Sequence, residues 1–89
     1  MKPSPYGILF VCTGNICRSP TAHGVMLHAL EEAGLNREVQ VDSAGTHGYH
    51  IGEPPDRRTI QAAARRGYRL ENLRARRVEK DDFHRFDLI

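Results

Sequence analysis

An α/β fold built on a parallel sheet is what this sequence predicts, and three observations predict it. Ile8, Leu9, Phe10 and Val11 form an unbroken apolar run, which suits a strand buried on both faces of a parallel sheet. A helical apolar period follows within ten residues, and a short alternating stretch follows that. Strand, helix and strand in this order make a β-α-β crossover, which is right-handed and pairs its strands in parallel.

The first strand is broken by Thr13 to Asn15, with Gly14 at the centre. Pro20 fits the first turn of a helix, where its missing N–H has no partner to lose, and Ser19 is placed to cap it. Ala22, Val25, Met26, Ala29, Leu30 and Ala33 keep the three-and-four spacing of one apolar face, and Gly34 supplies the stop. Val39 and Val41 alternate with Gln40 and Asp42 in the second strand. Ser43 to Asp56 carries three glycines and two prolines and reads as a long irregular loop, a kind of segment that tends to carry function. Asp56 caps a second helix with Ile60, Ala63 and Ala64 inward, ended by Gly67. Lys80 to Phe86 reads as a short helix burying Phe83 and Phe86, and Asp87, Leu88 and Ile89 open a third strand. Because strands run to about five residues, the sheet is expected to be cut in mid-element.

Eighty-nine residues with 39% hydrophobic content support one core and one domain. A net charge of +2, from 13 basic and 11 acidic residues, is far from the concentrated basic patch of a nucleic-acid binder. The arginines nonetheless crowd into the second half, from Arg57 to Arg77. Two readings stand side by side: solvated helix faces with local salt bridges, or a field that attracts an anionic substrate. MKPSPYG is too short and polar for a signal peptide, and no apolar run approaches the roughly 20 residues of a membrane span. The expected location is the cytoplasm, where two cysteines are more often chemical than disulfide-bonded.

Both cysteines lie in VCTGNICRSP, Val11 to Pro20. A loop between a buried strand and a helix N-terminus gathers outward backbone N–H groups, and the helix dipole adds partial positive charge. Thr13, Gly14, Asn15, Ile16, Cys17 and Arg18 would form that oxyanion cradle. Cys12, at the strand end, would lie at its floor among donors that favour the thiolate, with a pKa in the range of about 3.5 to 7.5 found for activated cysteines. Arg18 offers a planar fork matched to two phosphoryl oxygens. Ser19 can donate its hydroxyl to the cysteine sulfur, making it a better leaving group.

With Cys-x5-Arg-Ser so placed, the chain resembles the low-molecular-weight protein tyrosine phosphatases, whose signature is V-C-x-G-N-I-C-R-S-P. The likeness continues through Asp42 to Thr46, Gly48 to Asp56, Arg74 to Arg76 and Asp82 to Ile89. It implies a flavodoxin-like, Rossmann-like three-layer fold with a four-stranded parallel sheet, truncated here during the third strand, so that residues 1–89 are one domain incomplete at the C-terminus. It implies hydrolysis of phosphotyrosine through a phosphocysteine, with Cys12 as nucleophile and Arg18 binding the phosphoryl group. Asn15 and Ser43 would belong to a network holding the loop backbone, Tyr49 would flank the pocket and stack on the substrate ring, and Cys17 would be the redox partner of Cys12. Ile16 stands where relatives acting on phosphoarginine tend to carry threonine, which favours an aryl phosphate. The implied partners are a phosphotyrosine protein and a cognate tyrosine kinase, with no cofactor, metal, nucleic acid or membrane; an open sheet edge implies self-association.

Three departures qualify the likeness. The Asp-Pro dipeptide that carries the family's general acid does not occur in the sequence, an absence associated with a loss of about 10²- to 10⁴-fold in rate; Asp56 is better read as a helix cap than as its substitute. His23 stands where relatives usually have glutamate, and Leu73 where many have histidine. The histidines lack a cysteine or carboxylate at metal-ligand spacing. Two alternatives are an arsenate reductase of the same fold, which needs further downstream cysteines, and an oxyanion-binding module without its general acid.

Overall fold

The computed structural model describes residues 5–89. The reading of the opening residues as no leader therefore falls partly on residues 1–4, outside those described. Five elements follow in order: β1 Tyr6–Cys12, α1 Arg18–Ala33, β2 Val39–Gly45, α2 Arg57–Arg65 and α3 Asp82–Arg85. β1 and β2 pair in parallel from Tyr6↔Val39 to Cys12↔Gly45, with α1 as their crossover and packed on both. This is the expected α/β architecture. Leu88 adds a parallel bridge to Ile8, its carbonyl accepting from the Leu9 N–H at 2.9 Å and its N–H donating to Gly7 at 3.1 Å. Among the described residues the sheet has two strands, and this isolated bridge is what stands of the expected third.

Leu9, Ala44 and Phe86 form the core, with Val78 packed against it. Only Leu9 and Gly7 are buried along β1, while Ile8 and Phe10 are half-buried and Val11 is exposed. The strand is therefore covered less completely than its unbroken apolar run implied. β2 extends three residues further than expected: Ser43, Ala44 and Gly45 are buried strand residues, not loop.

α1 shows the largest difference from the sequence pattern. Its buried residues are Ser19, Pro20, His23, Gly24 and Leu30; of the expected stripe, Ala22, Val25 and Met26 are half-buried and Ala29 and Ala33 exposed. Apolar periodicity misses this side because two of its members are polar, and burial of polar groups requires partners. Ser19 and His23 have them, as described below. Gly24 is there for space: a Cβ would collide with the Leu70 side chain. Ser19 also does not cap the helix. The cap position is Cys17, with no side-chain bond.

Asp56 does cap α2, its carboxylate accepting from the Arg58 and Thr59 N–H groups at 3.1 and 3.2 Å. Ala63 is buried and Ile60 half-buried, but Ala64 is exposed. In the single turn of α3, Phe86 is 6% exposed and Phe83 66%. Residues four apart share a helix face and adjacent ones do not, so the residue buried with Phe86 is Asp82, at 0% exposure.

Candidate active site

The loop from Thr13 to Cys17 leaves the end of β1 and turns straight into α1. Asn15 makes the turn possible, with φ 58°, a left-handed backbone that asparagine tolerates better than most residues. The loop is bonded to its surroundings at several points. Thr46 N–H donates to the Cys12 carbonyl at 2.8 Å, His47 N–H to Thr13 at 2.9 Å and Asp56 N–H to Ile16 at 2.7 Å. At its base, Gly45 admits a very close approach: a Cβ there would lie 2.8 Å from the Thr13 carbonyl oxygen and 3.1 Å from the Gly14 carbonyl carbon.

Cys12, Thr13, Gly14, Ile16, Cys17 and Arg18 line a cavity of about 130 Å³. Asn15, the remaining loop residue, is buried behind it. Burial pushes the Cys12 thiol up, but the Ser19 hydroxyl and the backbone N–H groups of Ser19, Asn15 and Gly14 outweigh it, and the net pKa is lowered from the ordinary 9.0. Ser19 Oγ lies 3.0 Å from the sulfur.

The direction of that bond follows from the next partner. Arg76 N–H donates to Asn15 Oδ1 at 2.9 Å, which turns the amide nitrogen of Asn15 onto Ser19 Oγ at 2.7 Å. Ser19 thus accepts from Asn15, and its own proton is free for the sulfur or, over a longer 3.4 Å, for the Ala44 carbonyl. A thiolate is the better acceptor. Arg18 opens α1 at the cavity rim, exposed, and among the described residues it forms no ion pair. A cysteine of lowered pKa, backbone N–H donors turned toward its sulfur and an exposed guanidinium around a small cavity can bind and attack a tetrahedral oxyanion.

A family model described as low molecular weight phosphotyrosine protein phosphatase matches residues 7–89. The chain belongs to that family. It is 49% identical over 84 residues to the low molecular weight protein-tyrosine-phosphatase of Streptomyces coelicolor, covering 94% of this chain and 51% of that protein. The crystal structure of YfkJ from Bacillus subtilis superposes with a TM-score of 0.92 at 38% identity, covering 99% of this chain and 56% of that one. The Drosophila arginine phosphatase structure gives 0.85 at 34% identity, covering 91% and 51%. The chain therefore spans about half the length of the phosphatases it matches.

Other residues singled out by the family likeness lie around the cradle. Cys17 lines the cavity with Cys12, and both are free thiols; the Cys17 sulfur accepts from the Thr59 hydroxyl at 3.3 Å. Tyr49 is 71% exposed and stacked on His47 with ring centroids 5.1 Å apart, two residues from the backbone bonded to Thr13. Ser43 meets the helix side instead of the loop: its hydroxyl is 2.9 Å from His23 Nδ1 and its N–H donates to Asp42. Among the described residues, no group of three His, Cys, Asp or Glu side chains could hold a metal ion, and no helix is long and apolar enough to cross a membrane.

Sequence reasoning passed over three contributors. His23 looked only like a departure, yet it is buried as a hydrogen-bonding partner of β2. His50 covers the loop, its ring carbon Cδ2 3.2 Å from where a Cβ on Gly14 would stand. Arg76 contributes a backbone N–H, which no side-chain pattern reveals.

Proposed function

We propose that the chain provides the nucleophilic and phosphate-binding part of a protein tyrosine phosphatase that works through a phosphocysteine. The observation that carries this reading is the Cys12 sulfur held 3.0 Å from the Ser19 hydroxyl, in a small cavity and within reach of the Gly14, Asn15 and Ser19 backbone N–H groups. The thiolate attacks phosphorus and an S–P bond forms as the P–O bond to the aryl group breaks. Arg18 and the loop N–H groups hold the equatorial oxygens, where charge gathers in the transition state. Water then attacks the phosphocysteine, and the departing thiolate is received by Ser19. Ile16 in the cavity wall supports an aryl phosphate as substrate, and exposed Tyr49 supports stacking on its ring. Free Cys17 beside Cys12 supports reversible oxidation of the nucleophile.

The substrate in this reading is a phosphotyrosine protein, supplied by a tyrosine kinase in a reducing cytoplasm. Residues 1–89 are read as the N-terminal portion of the family domain. Exposed Leu88 and Ile89, beside the Ile8 bridge, support self-association along that edge, which sedimentation would detect as a dimer. Purified Cys12→Ser protein should bind vanadate and give no turnover; retained turnover would refute the nucleophile. Activity toward p-nitrophenyl phosphate exceeding that toward phenyl phosphate by 10²-fold or more, on the order of a general-acid contribution, is expected if no residue of this chain protonates the leaving group. Phosphotyrosine should also be hydrolysed in preference to phosphoarginine.

A further inference from the structure

We propose that Asp82 is a positioning residue for Cys12, acting through Arg76 and Asn15. This rests on the reading of Cys12 as the nucleophile.

Asp82 is fully buried and outside the cavity. Its carboxylate receives both terminal nitrogens of Arg76, at 3.0 and 2.9 Å, and the Glu79 N–H at 2.7 Å. Arg85 approaches the same carboxylate at 3.9 Å. The Nε of Arg76 reaches Asp42 on β2 at 3.1 Å. Two carboxylates from separate elements therefore grip one planar guanidinium, a geometry lysine cannot reproduce.

That grip bears on the backbone of Arg76. Its carbonyl accepts from the Gly45 N–H at 2.8 Å, and its own N–H holds Asn15 Oδ1. Asn15 in turn sets the lone pair and proton of Ser19, and Ser19 faces the sulfur. Each link fixes the donor and acceptor sense of the next. A misplaced Arg76 N–H frees the Asn15 amide to rotate, Ser19 can then turn its proton to Ala44, and the thiolate loses a donor.

The sign of the effect separates this role from simple electrostatics. Removing the negative charge of Asp82 and leaving the Arg76 cation with Asp42 as its one carboxylate partner among the described residues would, by Coulomb's law alone, favour the thiolate and lower the thiol pKa. Loss of positioning raises it.

The test is the rate of Cys12 alkylation by iodoacetamide across a pH series in the full chain with Cys17→Ser as background, followed by mass spectrometry. It needs no phosphatase turnover, so it stands or falls apart from the proposed activity. Asp82→Asn, folded by circular dichroism, should react about tenfold more slowly in mild acid, matching a rise of about one pKa unit. Arg76→Lys, which keeps the charge and loses the fork, should do the same, and it decides the question if Asp82→Asn does not fold. An unchanged or faster reaction in either folded variant overturns the proposal.

Discussion

Ser19 Oγ stands between Asn15 Nδ2 at 2.7 Å and Cys12 Sγ at 3.0 Å, so a single hydroxyl relays the orientation of a buried amide to the Cys12 sulfur. Ser19→Ala removes the relay and leaves the backbone donors in place. Hydrogen bonds to charged groups contribute about 1.5–3 kcal/mol, so, under the proposed reaction, the variant is expected to hydrolyse a phosphocysteine roughly 10- to 100-fold more slowly. Burst kinetics with p-nitrophenyl phosphate check this, since slowing of the second step accumulates the intermediate.

Asn15 combines a backbone requirement with two side-chain bonds, and paired substitutions separate them. Both Asn15→Gly and Asn15→Ala lose the contacts to Ser19 and Arg76, but alanine also carries a Cβ in the left-handed region, at a cost of roughly 1–2 kcal/mol. Urea denaturation should rank the stabilities wild type, glycine variant, alanine variant. Equal midpoints for the two variants would show that the loop relaxes out of φ 58° once its bonds are gone.

Gly45→Ala tests how closely the loop sits on β2. The new methyl would meet the Thr13 carbonyl and the Gly14 backbone, atoms that cannot swing aside as a side-chain tip can. Overpacking of this kind costs roughly 1–3 kcal/mol, and displacement should fall on the cradle. Weakened vanadate affinity alongside a lowered thermal midpoint is the expected pair of results.

Stability should rise with pH through two groups, His23 and Cys12. Burial pushes His23 below its ordinary 6.5, against an opposing pull from Asp42. Between the folded value and 6.5 the unfolded chain binds a proton that the folded one does not, so stability falls as pH drops through that interval. The lowered pKa of Cys12 acts in the same sense and extends further, to the ordinary 9.0. Stability grows from its folded value up to the ordinary 9.0, and that gain is absent below the folded value. His23→Gln should flatten the dependence of denaturant midpoint on pH just below 6.5, and Cys12→Ser that between 6.5 and 9.0.

The β-α-β unit, the cradle and the Asp56 cap were legible because local chemistry dictates them: an apolar run, a proline in a first helical turn, a carboxylate before free N–H groups. The buried side of α1 was not, because Ser19 and His23 earn their burial from partners across the fold, and pattern counts only apolar residues. Phe83 and Phe86 looked alike in sequence, and a helix of one turn had room to bury only the latter together with Asp82. Arg76 was visible within Arg-Ala-Arg, but its task belongs to its backbone and depends on Asp82 and Asn15 meeting in three dimensions.

The bond between Asn15 and Arg76 joins residues 61 positions apart. On the ribosome, Cys12 emerges long before the segment that completes its surroundings. A nascent chain short of Arg76 lacks the N–H that holds Asn15 Oδ1, and its Cys12 is expected to react more slowly with electrophiles than in the folded chain. The rate at which Cys12 takes an alkylating label is therefore expected to quicken as the chain closes over it, and to serve as a chemical clock for its folding.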